Sequence, residues 1–193
     1  MSRVVHEFTA TVPDWRPYVT PVKLEEASAA QLAAMKVTPS NRKVSDYVLT
    51  LAHDPESLSH RSPLFNGIMY GRDGLSRTER ELGAVGASVV NRCVYCAAVH
   101  ASRYNQLTGT EATMAEIFAR EEKAELGERE RAIFDFSVKL SAFPPKAGES
   151  DVERLRAAGL SELEILDLVM SAAIFGWANR LMHTLGEPVA AED

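Results

Sequence analysis

Ser76-Arg77-Thr78-Glu79-Arg80-Glu81-Leu82-Gly83-Ala84-Val85-Gly86-Ala87-Ser88-Val89-Val90 is the stretch whose reading decides the fold. Ser76 and Glu79 form a Ser-x-x-Glu capping box, in which each end of the motif satisfies a free backbone amide, so a helix starts here. From Leu82 onward the helix is apolar on every side, and such a helix is buried on most sides. Its glycines and alanines leave room for a neighbouring helix to approach closely. A central, wrapped helix predicts an all-α bundle.

Working outward from residue 76, Gly71 to Gly74 reads as a turn. Before it, Asp54-Pro55 gives a helix start with proline in the first turn. That helix passes Leu58 and is kinked or restarted at Ser62-Pro63 before Leu64, Phe65, Ile68 and Met69. Val44, Tyr47, Val48 and Leu51 follow the i, i+3, i+4, i+7 rule of an amphipathic helix. Leu24, Ser28, Leu32 and Met35 do the same, and Thr38-Pro39-Ser40-Asn41 breaks that run. Residues 1–22, with Pro13, Pro17 and Pro21 around Trp15 and Tyr18, read as an extended arm whose aromatic residues must bury on the parent domain or on a neighbouring subunit.

Downstream, Asn91-Arg92 reads as a cap and restart, with the next helix beginning at Cys93 and running through Tyr104 and Leu107 to Gly109. Thr110 to Arg120 and Glu128 to Leu140 are further helices, the latter ending before Pro144-Pro145. Ser150 with Glu153, and Ser161 with Glu164, are two more capping boxes, the last opening a long apolar helix through Phe175. No segment alternates with period two. The expectation is about eight or nine helices, with an arm at 1–22, a helical domain at 23–188 and a flexible tail at 189–193. Gly74-Leu75-Ser76-x-x-Glu79 recurs as Gly159-Leu160-Ser161-x-x-Glu164, read as one start signal used twice rather than a duplication.

Composition narrows the function. The chain has 193 residues, 46% of them apolar, and a formal charge of −6. This is ample for one core, with no transmembrane run expected. No lysine- or arginine-rich tract is present, which argues against nucleic acid or an anionic membrane as partner. The N-terminus lacks the apolar stretch of a signal peptide, so a cytoplasmic location is expected.

Both cysteines of the chain fall in Cys93-Val94-Tyr95-Cys96-Ala97-Ala98-Val99-His100. On a helix, Cys93, Cys96 and His100 share one face. Two thiols able to close a short disulfide beside an imidazole outline a redox site. A free cysteine has a pKa of ~8.5, so little of it is thiolate at neutral pH. A helix N-terminus, a second thiol and a histidine all raise that fraction. His100 lies one turn after Cys96, which makes Cys96 the expected reactive thiolate and Cys93 the resolving and exchanging thiol. His100 needs a carboxylate to orient it. Glu81, alone on an apolar helix, is the candidate, and Glu79 competes. A structural zinc site takes four ligands, and His6, His53, His60 and His183 show no paired spacing, so neither metal nor cofactor is expected.

Glu81, eleven intervening residues, then Cys93-x-x-Cys96-x-x-x-His100 resembles the signature of the alkylhydroperoxidase D (AhpD) family, within the carboxymuconolactone decarboxylase-like superfamily of all-helical proteins. The flanks Asn91–Cys96 and Asn179–Gly186 resemble its peroxidase-related branch. The resemblance implies that Cys96 attacks the peroxide and passes through sulfenic acid. It implies that Cys93 closes the disulfide and takes electrons from lipoamide or a thioredoxin-like dithiol protein. Glu81, rather than Glu79, would form the proton relay with His100, and the protein would be a homo-oligomer, from dimer to trimer or hexamer. Well-characterised members carry a histidine immediately before the second cysteine, and this chain has Tyr95 there. A phenol, with a pKa of ~10, is no base near neutrality. The alternative reading is therefore a dithiol redox carrier or sensor with little peroxidase activity of its own.

Overall fold

The computed structural model describes residues 3–36 and 43–191; the break at Thr38–Asn41 lies outside them. Among the described residues there are nine α-helices and one two-stranded antiparallel sheet, an all-α fold. In chain order they are β1 (Asp14–Pro17), α1 (Ala29–Ala34), α2 (Asp46–Leu51), α3 (Pro55–Tyr70), α4 (Arg77–Val90), α5 (Val94–Thr108), α6 (Ala112–Arg120), α7 (Glu128–Ser141), α8 (Glu149–Ala157), α9 (Glu162–Leu185) and β2 (Gly186–Val189).

Helix α4 is the hub, packed against α5, α7 and α9. Every residue from Arg80 to Val89 is buried, as its all-round apolar pattern requires. Its glycines let the neighbours in. A Cβ at Gly83 would sit 2.9 Å from Leu168 Cδ1 on α9, and one at Gly86 would sit 2.8 Å from Ser137 Cβ on α7. Both capping boxes that open the long apolar helices form, and Arg129 of α7 joins them, 2.5 Å from Glu79 and 2.7 Å from Glu164. Gly74 and Gly159, one residue before each buried leucine, both take positive φ, which glycine adopts without strain. The start signal used twice is thus clamped by one guanidinium.

Three local expectations change. The cap of α8 is Gly148 rather than Ser150, because the Asp151 carboxylate accepts from the Gly148 amide at 3.1 Å. Cys93 itself is the N-cap of α5, since Arg92 turns the corner at φ 55 and is not helical. Helix α9 is long and apolar enough, by length and composition, to cross a membrane, contrary to the expectation of no such run. Its Ile165, Leu168, Ala172, Phe175 and Met182 lie in the protein interior.

The arm is extended and docks on its own chain. Strand β1 pairs with β2 in the register Trp15↔Pro188, and Val4 bridges Val189. Val189 and Ala190, expected in a flexible tail, are held instead: the Ala190 amide donates to Arg3 O at 2.8 Å. Short strands carrying Pro17 and Pro188 have no alternation to reveal them in sequence, because proline supplies no ladder donor and confines them to an edge.

Candidate active site

Four elements converge on the CxxC. Helix α4 ends at the corner that Arg92 turns, and the Cys93 amide donates back to Ser88 O at 2.9 Å. Ser88 Oγ lies 3.3 Å from the Oδ1 acceptor of buried Asn179 on α9, and His183 Nε2 meets Asn91 O at 2.9 Å. The C-terminal flank singled out by resemblance therefore fixes the corner that carries Cys93. Trp15, Tyr47, Tyr95 and Met182 pack around the two sulfurs, with Trp15 and Tyr47 edge to face at 5.6 Å.

Both thiols are free, and their Sγ atoms lie 2.9 Å apart. Exposure does not separate them, at 2% for Cys93 and 6% for Cys96. Charge does. The Cys96 thiol, and to a smaller degree the Cys96 amide, hold the Cys93 thiol below its usual range against the opposing effect of burial. Cys96 is pushed well above its usual range by the hydrogen bond to Cys93, by burial and by the neighbouring charge. The contact between the two sulfurs acts in opposite directions on the two thiols, and Cys93 is the one at the positive end of α5. By direction Cys93 is the more acidic thiol of the pair, whereas the sequence expectation placed the thiolate on Cys96. Proximity to His100 in sequence suggested Cys96, but the helix N-terminus lies at Cys93.

The structure brings Glu81 and His100 together. Glu81 is fully buried on α4, and its carboxylate hydrogen-bonds His100 Nδ1. Arg77, one turn before it, donates to Glu81 Oε1 through Nε at 2.6 Å and to Met69 O at 2.9 Å. Burial raises the Glu81 pKa, but His100 and Arg77 together outweigh burial and hold it below the usual carboxylate range. With Nδ1–H given to Glu81, Nε2 is the basic nitrogen of His100. Glu79 is occupied by its cap and by Arg129, and does not reach the site. Phe175 of α9 fixes the other side of the imidazole, ring centroids 4.1 Å apart.

Arg77 is a site residue that sequence reading missed, although its i, i+4 spacing to Glu81 was a usable signal. Trp15, Tyr47 and Phe175 had no such signal, since each arrives from a distant segment. The Tyr47 hydroxyl is buried without a hydrogen-bond partner, and burial pushes its pKa up to about 12. Burial likewise raises Tyr95, which stays a neutral phenol. A cavity of about 310 Å³ opens beside Cys93 and Tyr95, walled by the arm and β2; Cys96 does not line it. Among the described residues no group of three or more His, Cys, Asp or Glu could hold a metal ion.

Comparison with known proteins places the fold. The model of the carboxymuconolactone decarboxylase family matches residues 55–138, the α3–α7 segment that carries Glu81, both cysteines and His100. A peroxidase-related protein with an AhpD core from Ralstonia eutropha JMP134 superposes with TM-score 0.75 at 27% identity, covering 90% of each chain. The α3–α7 segment is thus similar to the carboxymuconolactone decarboxylase family, and the fold is that of an AhpD-like peroxidase-related protein. A peroxidase-related protein from Silicibacter sp. TM1040 superposes with TM-score 0.73 at 25% identity, over 90% of this chain and 93% of that one. The debrominase Bmp8 shares the fold at TM-score 0.71 and 18% identity, over 91% and 93% of the chains. No curated protein sequence matches significantly. The AhpD-like fold with its CxxC pair is compatible with alkylhydroperoxidase-like activity.

Proposed function

We propose that this AhpD-like protein is a thiol-dependent peroxidase that reduces hydrogen peroxide or organic hydroperoxides through Cys93 and Cys96, with Glu81 and His100 handling the proton. The supporting observation is the pairing of two reduced thiols at 2.9 Å with the fully buried Glu81 carboxylate, which is hydrogen-bonded to the partly buried His100 one helical turn after Cys96. In the net reaction two thiols and ROOH give a disulfide, ROH and water. A dithiol such as lipoamide or a thioredoxin-like protein in the cytoplasm would then reduce the disulfide. Purified protein with a dithiol reductant should consume peroxide at least tenfold faster than a variant with both cysteines changed to serine. Equal rates would refute the reading.

Tyr95 supports the second reading, a dithiol carrier, because a neutral phenol adds no base between the cysteines. Stopped-flow oxidation separates the two: a peroxidase oxidises faster with peroxide than with a protein disulfide, and a carrier shows the reverse.

We also propose that the protein works as a homo-oligomer, with a second copy on α9. Leu163, Leu166, Met170 and Trp177 are exposed at three-, four- and seven-residue steps along one face of that helix. Two α9 helices side by side and antiparallel would set Glu162 in the acidic first turn of each near Arg180 of the other. Met170→Lys should shift the protein to a smaller species in light scattering; an unchanged mass would exclude this face.

A further inference from the structure

Two residues one turn apart on α9 hold the corner between α4 and α5 from outside. His183 Nε2 donates to Asn91 O at 2.9 Å, and the Asn179 Oδ1 acceptor lies 3.3 Å from Ser88 Oγ. Ser88 O in turn accepts the Cys93 amide at 2.9 Å. Between the two, Met182 packs with both cysteines. The corner needs such support. Arg92 takes φ 55, and a non-glycine residue keeps a left-handed conformation only where its surroundings over-determine it. Cys93, as N-cap, makes no side-chain hydrogen bond to the first turn of α5, so its sulfur follows the backbone of the corner. Stability alone does not account for Asn179. The residue is 0% exposed, and its Nδ2 has no acceptor among the described residues. An unpaired buried donor weakens the folded state in a way that an apolar side chain of the same shape avoids. What the asparagine does meet is the residue that receives the Cys93 amide.

Resting on the reading of the CxxC as a reversible dithiol, which the peroxidase and carrier functions share, we propose that Asn179 and His183 are positioning residues. They hold the α4–α5 corner so that Cys93 stays against Cys96, and they thereby favour the disulfide over the dithiol. When a disulfide is the oxidant, two S–H bonds break and one S–S bond forms between Cys93 and Cys96. The two electrons and both protons go to the oxidant, which leaves as a dithiol. Neither Asn179 nor His183 gives or takes a proton in this step. With the corner released, reduced Cys93 samples positions away from Cys96, and closing the ring then costs more conformational entropy. The pair on α9 acts before the chemistry, by removing that freedom in advance.

The equilibrium constant of the Cys93–Cys96 disulfide tests this. It is measured by equilibrating the protein with mixtures of oxidised and reduced dithiothreitol, then acid quenching, alkylation and mass spectrometry. Such a constant does not depend on how easily the buffer reaches two sulfurs that are 2% and 6% exposed. Asn179→Leu and His183→Ala should each lower it about tenfold, the effect of one residue's regained backbone freedom. His183→Gln, whose side-chain amide N–H can replace Nε2–H toward Asn91 O, should recover most of that loss. Asn179→Leu should leave the Tm of the reduced protein unchanged or raise it. His183 is exposed, so His183→Ala and His183→Gln carry the test even where Asn179→Leu does not fold. A purely structural role gives the opposite pattern, a lower Tm in both redox states with an unchanged equilibrium constant, and that result would overturn the proposal. Wild-type protein that stays reduced in every mixture would instead remove the redox reading itself, and the proposal with it.

Discussion

Changing Glu81 to glutamine is expected to lower peroxide turnover by about 10²–10⁴-fold, the usual worth of a positioned proton-transfer group. The carboxylate is wholly buried between two donors, Arg77 and His100 Nδ1. A glutamine keeps one acceptor oxygen but turns an amide N–H toward one of those donors. The imidazole then loses its orientation, and Arg77 loses its counter-charge. Removing one partner of a buried ion pair costs about 3–5 kcal/mol, so urea unfolding at neutral pH should show a loss near the lower figure. The pH dependence follows from the direction of the shift. Because Glu81 is held below its ordinary value in the folded protein, its contribution is fully present above the unfolded carboxyl pKa of about 4.3. It is lost as pH falls through the lower folded value. The stability gap between wild type and Glu81→Gln should therefore be full at pH 7 and shrink on acidification below about pH 4. Glu79→Gln is the control. It should loosen the cap by about 1 kcal/mol and leave the pH profile of turnover in place, since Glu79 does not touch His100. Equal turnover in Glu81→Gln and wild type would remove the relay.

Arg80→Met is expected to produce the largest loss of stability without touching the thiols. Arg80 is 1% exposed and donates to four acceptors: Leu75 O at 2.7 Å, Asp73 O at 2.8 Å, Asp167 Oδ2 at 2.7 Å, and Ile68 O. It ties the end of α3 and the turn after it to α9, while Asp167 also accepts from the Leu75 amide at 3.0 Å. Methionine fills much of the volume but leaves three carbonyls and one carboxylate without that donor. Breaking a buried pair from one side costs about 3–5 kcal/mol. For a chain of this size that corresponds to a drop of about 10 °C in Tm, read by thermal unfolding. Arg80→Lys should recover only part, since an ammonium cannot span four acceptors with the guanidinium's fork. A shift under about 2 °C would show that the turn is held by packing alone.

The sequence by itself determined the helical class, the buried hub and the CxxC helix. Each rests on local signals: Ser76 and Glu79 close a ring three residues apart, and an apolar surface all round one helix has nowhere to go but inside. Glu81 was legible for a related reason, since one carboxylate among buried neighbours must have a partner. Only the tertiary structure decided which partner, by packing α5 against α4 so that His100 meets Glu81 while Glu79 turns to Arg129. It alone brought Trp15 and Pro188 together as a two-stranded wall over Cys93. It alone set the two thiols in opposite directions, Cys93 down and Cys96 up, through the contact between them. Spacing along a helix gives distance to the next residue on the same face. The charge on a thiol depends on everything around it: the end of the helix it caps, the second sulfur, and the burial imposed by segments far away in the chain.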